Sequence, residues 1–137
     1  NMYDYLAFDA SKIEYAYVNV PMPNDYTGGP VYGQFYWTHP ATSSYFATVW
    51  SLSGVGFAND DTLDAAQGTA GTATDTGGTT YDLYISPATG AITLAGAPLA
   101  GELVNWRVGR LGTSTDDTLA VDAYLLCVMV WYPVAST

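Results

Sequence analysis

Two short acidic motifs are the strongest candidates for chemistry in this 137-residue chain. Asp60-Asp61-Thr62-Leu63 recurs as Asp116-Asp117-Thr118-Leu119, each time a few residues after a segment rich in Val, Trp and Gly. Clustered carboxylates can bind Ca²⁺, although the glycine and the final glutamate of an EF-hand loop are missing. The alternative is turn and cap formation, in which Asp side chains accept hydrogen bonds from nearby backbone amides. The candidate calcium ligands are Asp60, Asp61, Asp116 and Asp117.

Catalytic chemistry has little support in the residue types. His39 is the only histidine and Cys127 the only cysteine, so a zinc cluster of His and Cys residues and an internal disulfide are both excluded. Phosphate-binding glycine loops and a nucleophile elbow are absent. Among thirteen acidic residues some pair falls within glycosidase range by chance. We therefore predict a protein that is not an enzyme and has no cofactor, with Cys127 as a small buried residue.

The charge balance restricts the classes of partner. Three basic residues stand against thirteen acidic ones, which gives a formal net charge of −10. Such a chain repels phosphate backbones, so we expect no nucleic-acid partner. It also has no basic amphipathic segment and no run of about 18 apolar residues, so we expect no membrane insertion.

Aromatic residues are the other candidates for binding. They make up 15% of the chain, and twelve of them are tyrosines. Aromatic rings in loops can stack on sugars, which makes a carbohydrate-binding module one hypothesis. The alternative is that these rings fill the core or a subunit interface. The candidate glycan-stacking residues are Tyr26, in a Gly/Pro-rich loop, and His39 and Tyr45, beside a Pro/Ser/Thr turn.

Hydrophobic periodicity predicts an all-β fold. The segments Val31–Thr38 and Tyr45–Ala58 are rich in aromatic and β-branched residues and flank a turn cluster, a pattern typical of a β-hairpin. Thr62–Gln67 is the one predicted helix, capped by Asn59 or Asp60. Other predicted strands are Met2–Phe8, Ile13–Val20, Thr69–Thr76, Tyr81–Ser86, Ile92–Ala95, Glu102–Leu111 and Val121–Val134. We therefore expect a single domain over residues 1–137, an antiparallel β-sandwich that is jelly-roll-like.

The closing strand predicts self-association. Strict alternation puts Val121, Ala123, Leu125, Cys127, Met129 and Trp131 on one face of it, which we assign to the core. A sandwich strand normally has polar residues on its second face, but here that face is also apolar. Monomers rarely expose such a patch, so a closed oligomer is expected to bury it. The predicted interface residues are Tyr124, Leu126, Val128, Val130 and Tyr132.

A series of short motifs also carries a family resemblance. They are Phe8-Asp9-Ala10, Val20-Pro21-Met22-Pro23, Tyr26-Thr27-Gly28-Gly29, Gln34-Phe35-Tyr36-Trp37-Thr38, Val49-Trp50-Ser51-Leu52, Asp61-Thr62-Leu63-Asp64-Ala65-Ala66, Asp82-Leu83-Tyr84-Ile85-Ser86, Gly101-Glu102 with Arg107, and Asp117-Thr118-Leu119-Ala120-Val121-Asp122-Ala123. In their order and spacing, the chain from about Tyr3 to Tyr132 resembles a family of small, mostly uncharacterised virion proteins of tailed bacteriophages.

The resemblance implies a function but no site residues. It implies a non-enzymatic structural protein of a bacteriophage virion, exposed as an adhesion, capsid-decoration, head-fibre or tail-fibre module. It also implies a homotrimer, with other virion proteins as partners and a host surface glycan as a possible ligand. A secreted carbohydrate-binding module is the alternative function.

Overall fold

The computed structural model describes residues 3–41 and 46–134, which form two four-stranded antiparallel sheets packed face to face. Sheet A has the strand order β1-β8-β3-β6 and sheet B the order β2-β7-β4-β5. The strands are β1 Leu6–Phe8, β2 Ile13–Pro21, β3 Tyr32–Thr38, β4 Phe46–Phe57, β5 Gly71–Gly77, β6 Tyr84–Ile85, β7 Leu103–Leu111 and β8 Ala123–Trp131. The predicted antiparallel β-sandwich is confirmed.

The strand pairing is that of a jelly roll. The first four strands pair in reverse order with the last four, as β1–β8, β2–β7, β3–β6 and β4–β5. This long ribbon turns back on itself between β4 and β5. It wraps so that β8 also pairs with β3, and β7 with β4. Apart from β4–β5, each connection therefore crosses from one sheet to the other.

The predicted hairpin between β3 and β4 is wrong for this reason. The two strands lie in opposite sheets and face each other across the core, where the rings of Phe35 and Trp50 stack with centroids 5.9 Å apart. Trp37 packs against the same Trp50 ring at 6.1 Å. All three side chains are fully buried, which accounts for the aromatic richness of the two segments.

The predicted helix at Thr62–Gln67 is also wrong, and the described residues contain no helix. Instead, this segment is held against β4 and β7 by the amide of Gln67. The Ser53 hydroxyl donates to Gln67 Oε1 at 2.9 Å, and Gln67 Nε2 donates to Asn105 Oδ1 at 2.9 Å. Gly68 N–H then donates to the carbonyl of Gly54 at 3.3 Å. These contacts outweigh a helix propensity that is worth only tenths of a kcal/mol per residue.

A buried ion pair joins the two sheets at one end of the sandwich. Arg110, on β7, is fully buried and binds the carboxylate of Asp117 through Nε at 3.0 Å and Nη2 at 2.7 Å. Its Nη1 donates to the carbonyls of Phe8 at 3.0 Å and Val121 at 2.8 Å, and its Nη2 donates to that of Leu119 at 2.6 Å. The guanidinium group therefore makes five hydrogen bonds, which is its full complement.

The loop that carries Asp117 also completes β4. Asp117 Oδ2 accepts the N–H of Val49 at 3.0 Å, and Thr118 Oγ1 accepts that of Ala47 at 2.8 Å. The N–H of Thr118 in turn donates to the carbonyl of Ala47 at 2.8 Å. Because β7 pairs with β4 only from Trp50 onward, this loop satisfies the part of β4 that β7 does not reach.

We expect Arg110→Met to lower the free energy of unfolding by about 3–5 kcal/mol, since it leaves a buried carboxylate without its partner. Arg107→Met is the matched control. Arg107 lies three residues away on the same strand, with its guanidinium carbon 4.3 Å from the centroid of the Tyr15 ring. Loss of this contact should lower the free energy of unfolding by about 1 kcal/mol or less. Urea unfolding followed by tryptophan fluorescence measures both, and equal losses would contradict a special role for Arg110.

Candidate functional site

The structure does not assemble the predicted glycan site. Tyr26 is buried, its hydroxyl donates to the carbonyl of Gly29 at 2.5 Å, and its ring packs edge-on against Tyr132. His39 is fully buried. Tyr45 lies outside the described residues. Neither of the two described rings is accessible to a sugar, so the assignment of Tyr26 and His39 as stacking residues is corrected.

His39 is instead part of a buried aromatic cluster. Its ring lies edge-on to Phe46, with centroids 4.5 Å apart, and nearly parallel to Tyr84 at 5.5 Å. Neither ring nitrogen has a hydrogen-bond partner among the described residues. Burial lowers the pKa of His39 below the ordinary value of 6.5, and the charge of Asp82 opposes this only in part. The imidazole is therefore a neutral packing group.

The predicted calcium ligands do not come together. Within residues 3–41 and 46–134 there is no group of three or more His, Cys, Asp or Glu side chains that could bind a metal ion. The second aspartate of each motif closes the same turn, because Asp61 and Asp117 each donate their N–H at 3.1 Å to the carbonyl three residues earlier. Asp117 is also committed to Arg110. The calcium assignment of Asp60, Asp61, Asp116 and Asp117 is corrected in favour of turn formation.

A β-bulge in β8 reverses the predicted faces of that strand beyond Leu126. Trp37 is opposite Leu125, but Tyr36 is opposite Cys127, so Leu126 is an extra residue on β8. Ala123 and Leu125 face the core as predicted. Beyond the extra residue the alternation shifts by one, and the next side chains to pack against the core are Val128, Val130 and Tyr132.

The exposed apolar face of β8 therefore differs from the predicted one. All five predicted interface residues, Tyr124, Leu126, Val128, Val130 and Tyr132, are only partly exposed. Cys127, Met129 and Trp131 face solvent instead, which also corrects the prediction that Cys127 is buried. The strand still presents an exposed apolar face, but with the other set of side chains.

Within residues 3–41 and 46–134 the sandwich is open along one side. β1 pairs with β8 only at Ala123–Leu125, so residues 126–131 of β8 have no described strand on that side. In sheet B the corresponding edge strand, β2, is nine residues long. We call β2 and residues 126–131 of β8 together the open edge.

An apolar groove of about 280 Å³ lies between the two halves of the open edge. Val18 and Val20 of β2 pair with the inward-facing Trp106 and Val104, so they also point between the sheets. They nevertheless remain 55% and 43% exposed, because none of the described strands of sheet A lies over them. Apolar side chains lining the groove include Val18, Val20, Met22, Trp106, Val128 and Val130.

β2 is exposed on its other face too. Tyr15 and Tyr17 point away from the core, and Tyr17 is 59% exposed. Sequence analysis predicted this strand but did not identify its exposure. The available signal was the segment IEYAYVNV, which places tyrosines on one face and Ala or Val on the other. A strand that is apolar on both faces lies either inside a protein or against a partner.

The comparisons assign no relative to this chain. No family model, no curated protein and no solved structure matches it. The described part of the chain contains no helix that could span a membrane. We therefore assign the candidate functional site from the geometry of the chain alone, and we place it at the open edge.

We expect a charge to destabilise the protein when it is placed on the inner face of β8 and to have little effect on the outer face. Val128→Asp places a carboxylate against the core and should lower the free energy of unfolding by about 2 kcal/mol or more. Met129→Asp, at a residue 49% exposed, should change it by no more than about 0.5 kcal/mol. Urea unfolding of both variants checks the position of the bulge, and the reverse order of losses would contradict it.

We expect His39 to make the protein less stable in mild acid. Its pKa is lower in the folded chain than in the unfolded chain, so the unfolded chain takes up the proton first as the pH falls below 6.5. The contribution of neutral His39 to the free energy of unfolding is therefore complete above pH 6.5 and is lost progressively as the pH falls below that value. His39→Phe removes the titration and keeps an aromatic ring in the cluster.

The stability of His39→Phe relative to the unmodified protein should consequently increase as the pH is lowered from 7.5 to 5.5. Thermal unfolding at a series of pH values measures this difference, and the carboxylates common to both proteins cancel. A difference that does not depend on pH would contradict a buried neutral imidazole.

Proposed function

We propose that this chain is a non-enzymatic structural module of a bacteriophage virion, exposed on the particle as an adhesion, decoration or fibre element. The observation that best supports a structural role is that this strongly acidic protein exposes many uncharged apolar side chains. The exposed large apolar side chains of β2 are Ile13, Tyr15, Tyr17, Val18 and Val20, and those of β8 are Met129 and Trp131. Surface of this kind marks contact with other proteins.

The location of the apolar surface supports assembly rather than small-molecule binding. The groove at the open edge continues into the exposed side chains of β2, so the apolar surface is extended along a strand and not confined to an enclosed pocket. A small-molecule site normally buries most of its ligand and places a few polar groups to orient it. An extended strand edge fits another polypeptide better.

The virion assignment rests on the resemblance described above. Jelly rolls occur in viral capsid proteins and also in lectins and cupins, so the fold agrees with the proposal without selecting it. Homotrimer formation and host-glycan binding stay predictions. The secreted carbohydrate-binding module also stays a prediction, and the buried Tyr26 and His39 offer it no stacking surface.

Mass spectrometry of purified phage particles tests the proposal. The particles should come from the phage whose genome encodes this chain and should be banded on a density gradient. We expect the chain at a copy number comparable to that of the other structural proteins, and retained after washing in high salt. Antibody against the chain should label intact particles, since the module is exposed. A chain found in the lysate but absent from the banded particles would overturn the proposal.

A further inference from the structure

We propose that two copies of this chain associate by antiparallel pairing of β2 with β2 about a two-fold axis. The two four-stranded B sheets would then form one continuous sheet of eight strands. This inference deepens the proposed structural role, because it names a second copy of the chain as the first partner and β2 as the contact. The two-fold dimer is an alternative to the predicted homotrimer, and the mass of the assembly distinguishes the two.

The four sheet edges differ in a way that singles out β2. β1 has three residues and β6 has two, so both edges of sheet A are short. β5, at one edge of sheet B, is mostly small and polar, with the sequence GTATDTG. β2 has nine residues, and its register with β7 runs from Ile13 to Pro21 without a shift.

Natural edge strands are usually protected by being short, by a bulge, or by Lys or Pro along the strand. Charged residues on the strand protect an edge as well, and in β2 all such residues lie near its ends: Glu14 is the second residue, and Pro21 is the last. A long and regular edge whose central residues, 15–20, include no charge and no proline is a ready template for another strand. The question is which strand pairs with it.

Charge favours a second copy. The chain has a net charge of −10, so most ways of bringing two copies together oppose negative surfaces. Residues 12–21 contain one Lys and one Glu and are therefore neutral. Arg107 lies beside them on β7, and the third basic residue, Arg110, is buried. Both basic residues outside the core thus lie at this edge, where two copies can meet without repulsion.

Pairing of β2 with β2 about a two-fold axis also places no two like charges opposite each other. Tyr17 is the central residue of Ile13–Pro21, so symmetric pairing joins positions whose numbers add to 34. Tyr17 then lies opposite Tyr17 of the second copy, and Glu14 lies opposite Val20 and not opposite another carboxylate. Ala16 of one copy lies opposite Val18 of the other copy. This pairing covers part of the Val18 side chain that is otherwise exposed at the groove. Cross-strand pairs of this kind stabilise sheets, and pairing removes both free edges.

Cysteine cross-linking tests the register. In a Cys127→Ser background, which removes the exposed native thiol, Tyr17→Cys places two thiols directly opposite each other. Their Cβ atoms would be about 5 Å apart, near enough for a disulfide after a small adjustment. Asn19→Cys is the matched control on the same exposed face, because its two thiols would be four residues, or about 13 Å, apart along the strands. We expect a covalent dimer from Tyr17→Cys under mild oxidation and none from Asn19→Cys.

Sedimentation equilibrium of the unmodified chain tests the pairing itself, whether or not the cysteine variants fold. We expect twice the chain mass of 14.6 kDa at micromolar concentration. Val18→Lys should give monomer, whereas Leu83→Lys, at a residue 57% exposed away from β2, should leave the dimer intact. A monomeric or trimeric unmodified chain, or equal cross-linking of the two cysteine variants, would overturn the proposal. None of these results depends on finding the chain in particles, so the pairing and the virion role can fail separately.

Discussion

The ion pair between Arg110 and Asp117 is the constraint on which the arrangement of the strands depends. Its guanidinium group binds the carbonyl of Phe8, the last residue of β1, and that of Val121, two residues before β8 begins. The carboxylate binds the backbone of β4. Replacing a buried ion pair with apolar residues is often neutral for stability. We therefore expect this pair to act chiefly by fixing β7, which carries Arg110, relative to β1, β4 and the segment before β8. This anchor lies at the Phe8–Ala123 end of the pairing between β1 and β8, and the open edge begins at the other end of that pairing, beyond Leu6 and Leu125.

Local sequence patterns predicted the strands but not how they combine. β2, β5 and β7 lie within a few residues of their predicted bounds, because each has a regular alternation or β-branched composition. In β7 the alternation of inward side chains includes Val108. Continued two residues further, it would have placed Arg110 on the inner face as well. A turn composition is the same whether the flanking strands pair or face each other, so the β3–β4 crossover was not predictable. The extra residue at Leu126 was hidden because both faces of β8 are apolar.

The candidate site residues show a related limit. Tyr26 and His39 have the residue type and the loop position of binding residues, yet both are buried by contacts with residues far away in sequence. The aspartate motifs were correctly recognised as repeated, but their geometry follows from one local turn and, in the second motif, from an arginine seven residues before Asp117. The open edge depends on the length of β1 relative to β2, which involves two strands in different sheets. Residue type therefore indicated what each group can do, and tertiary contacts determined which groups are available.

Hydrogen exchange of the β2 amides tests most directly whether a second copy of the chain pairs with β2. In an antiparallel edge strand, alternate residues direct their N–H groups to the neighbouring strand and the others to solvent. Exchange measured residue by residue by NMR should show protection at nearly every position between Ile13 and Pro21 in the unmodified protein, and only at alternate β2 positions in the monomeric Val18→Lys variant. Protection at only alternate positions in the unmodified protein would show that β2 remains a free edge, and would contradict pairing through this strand.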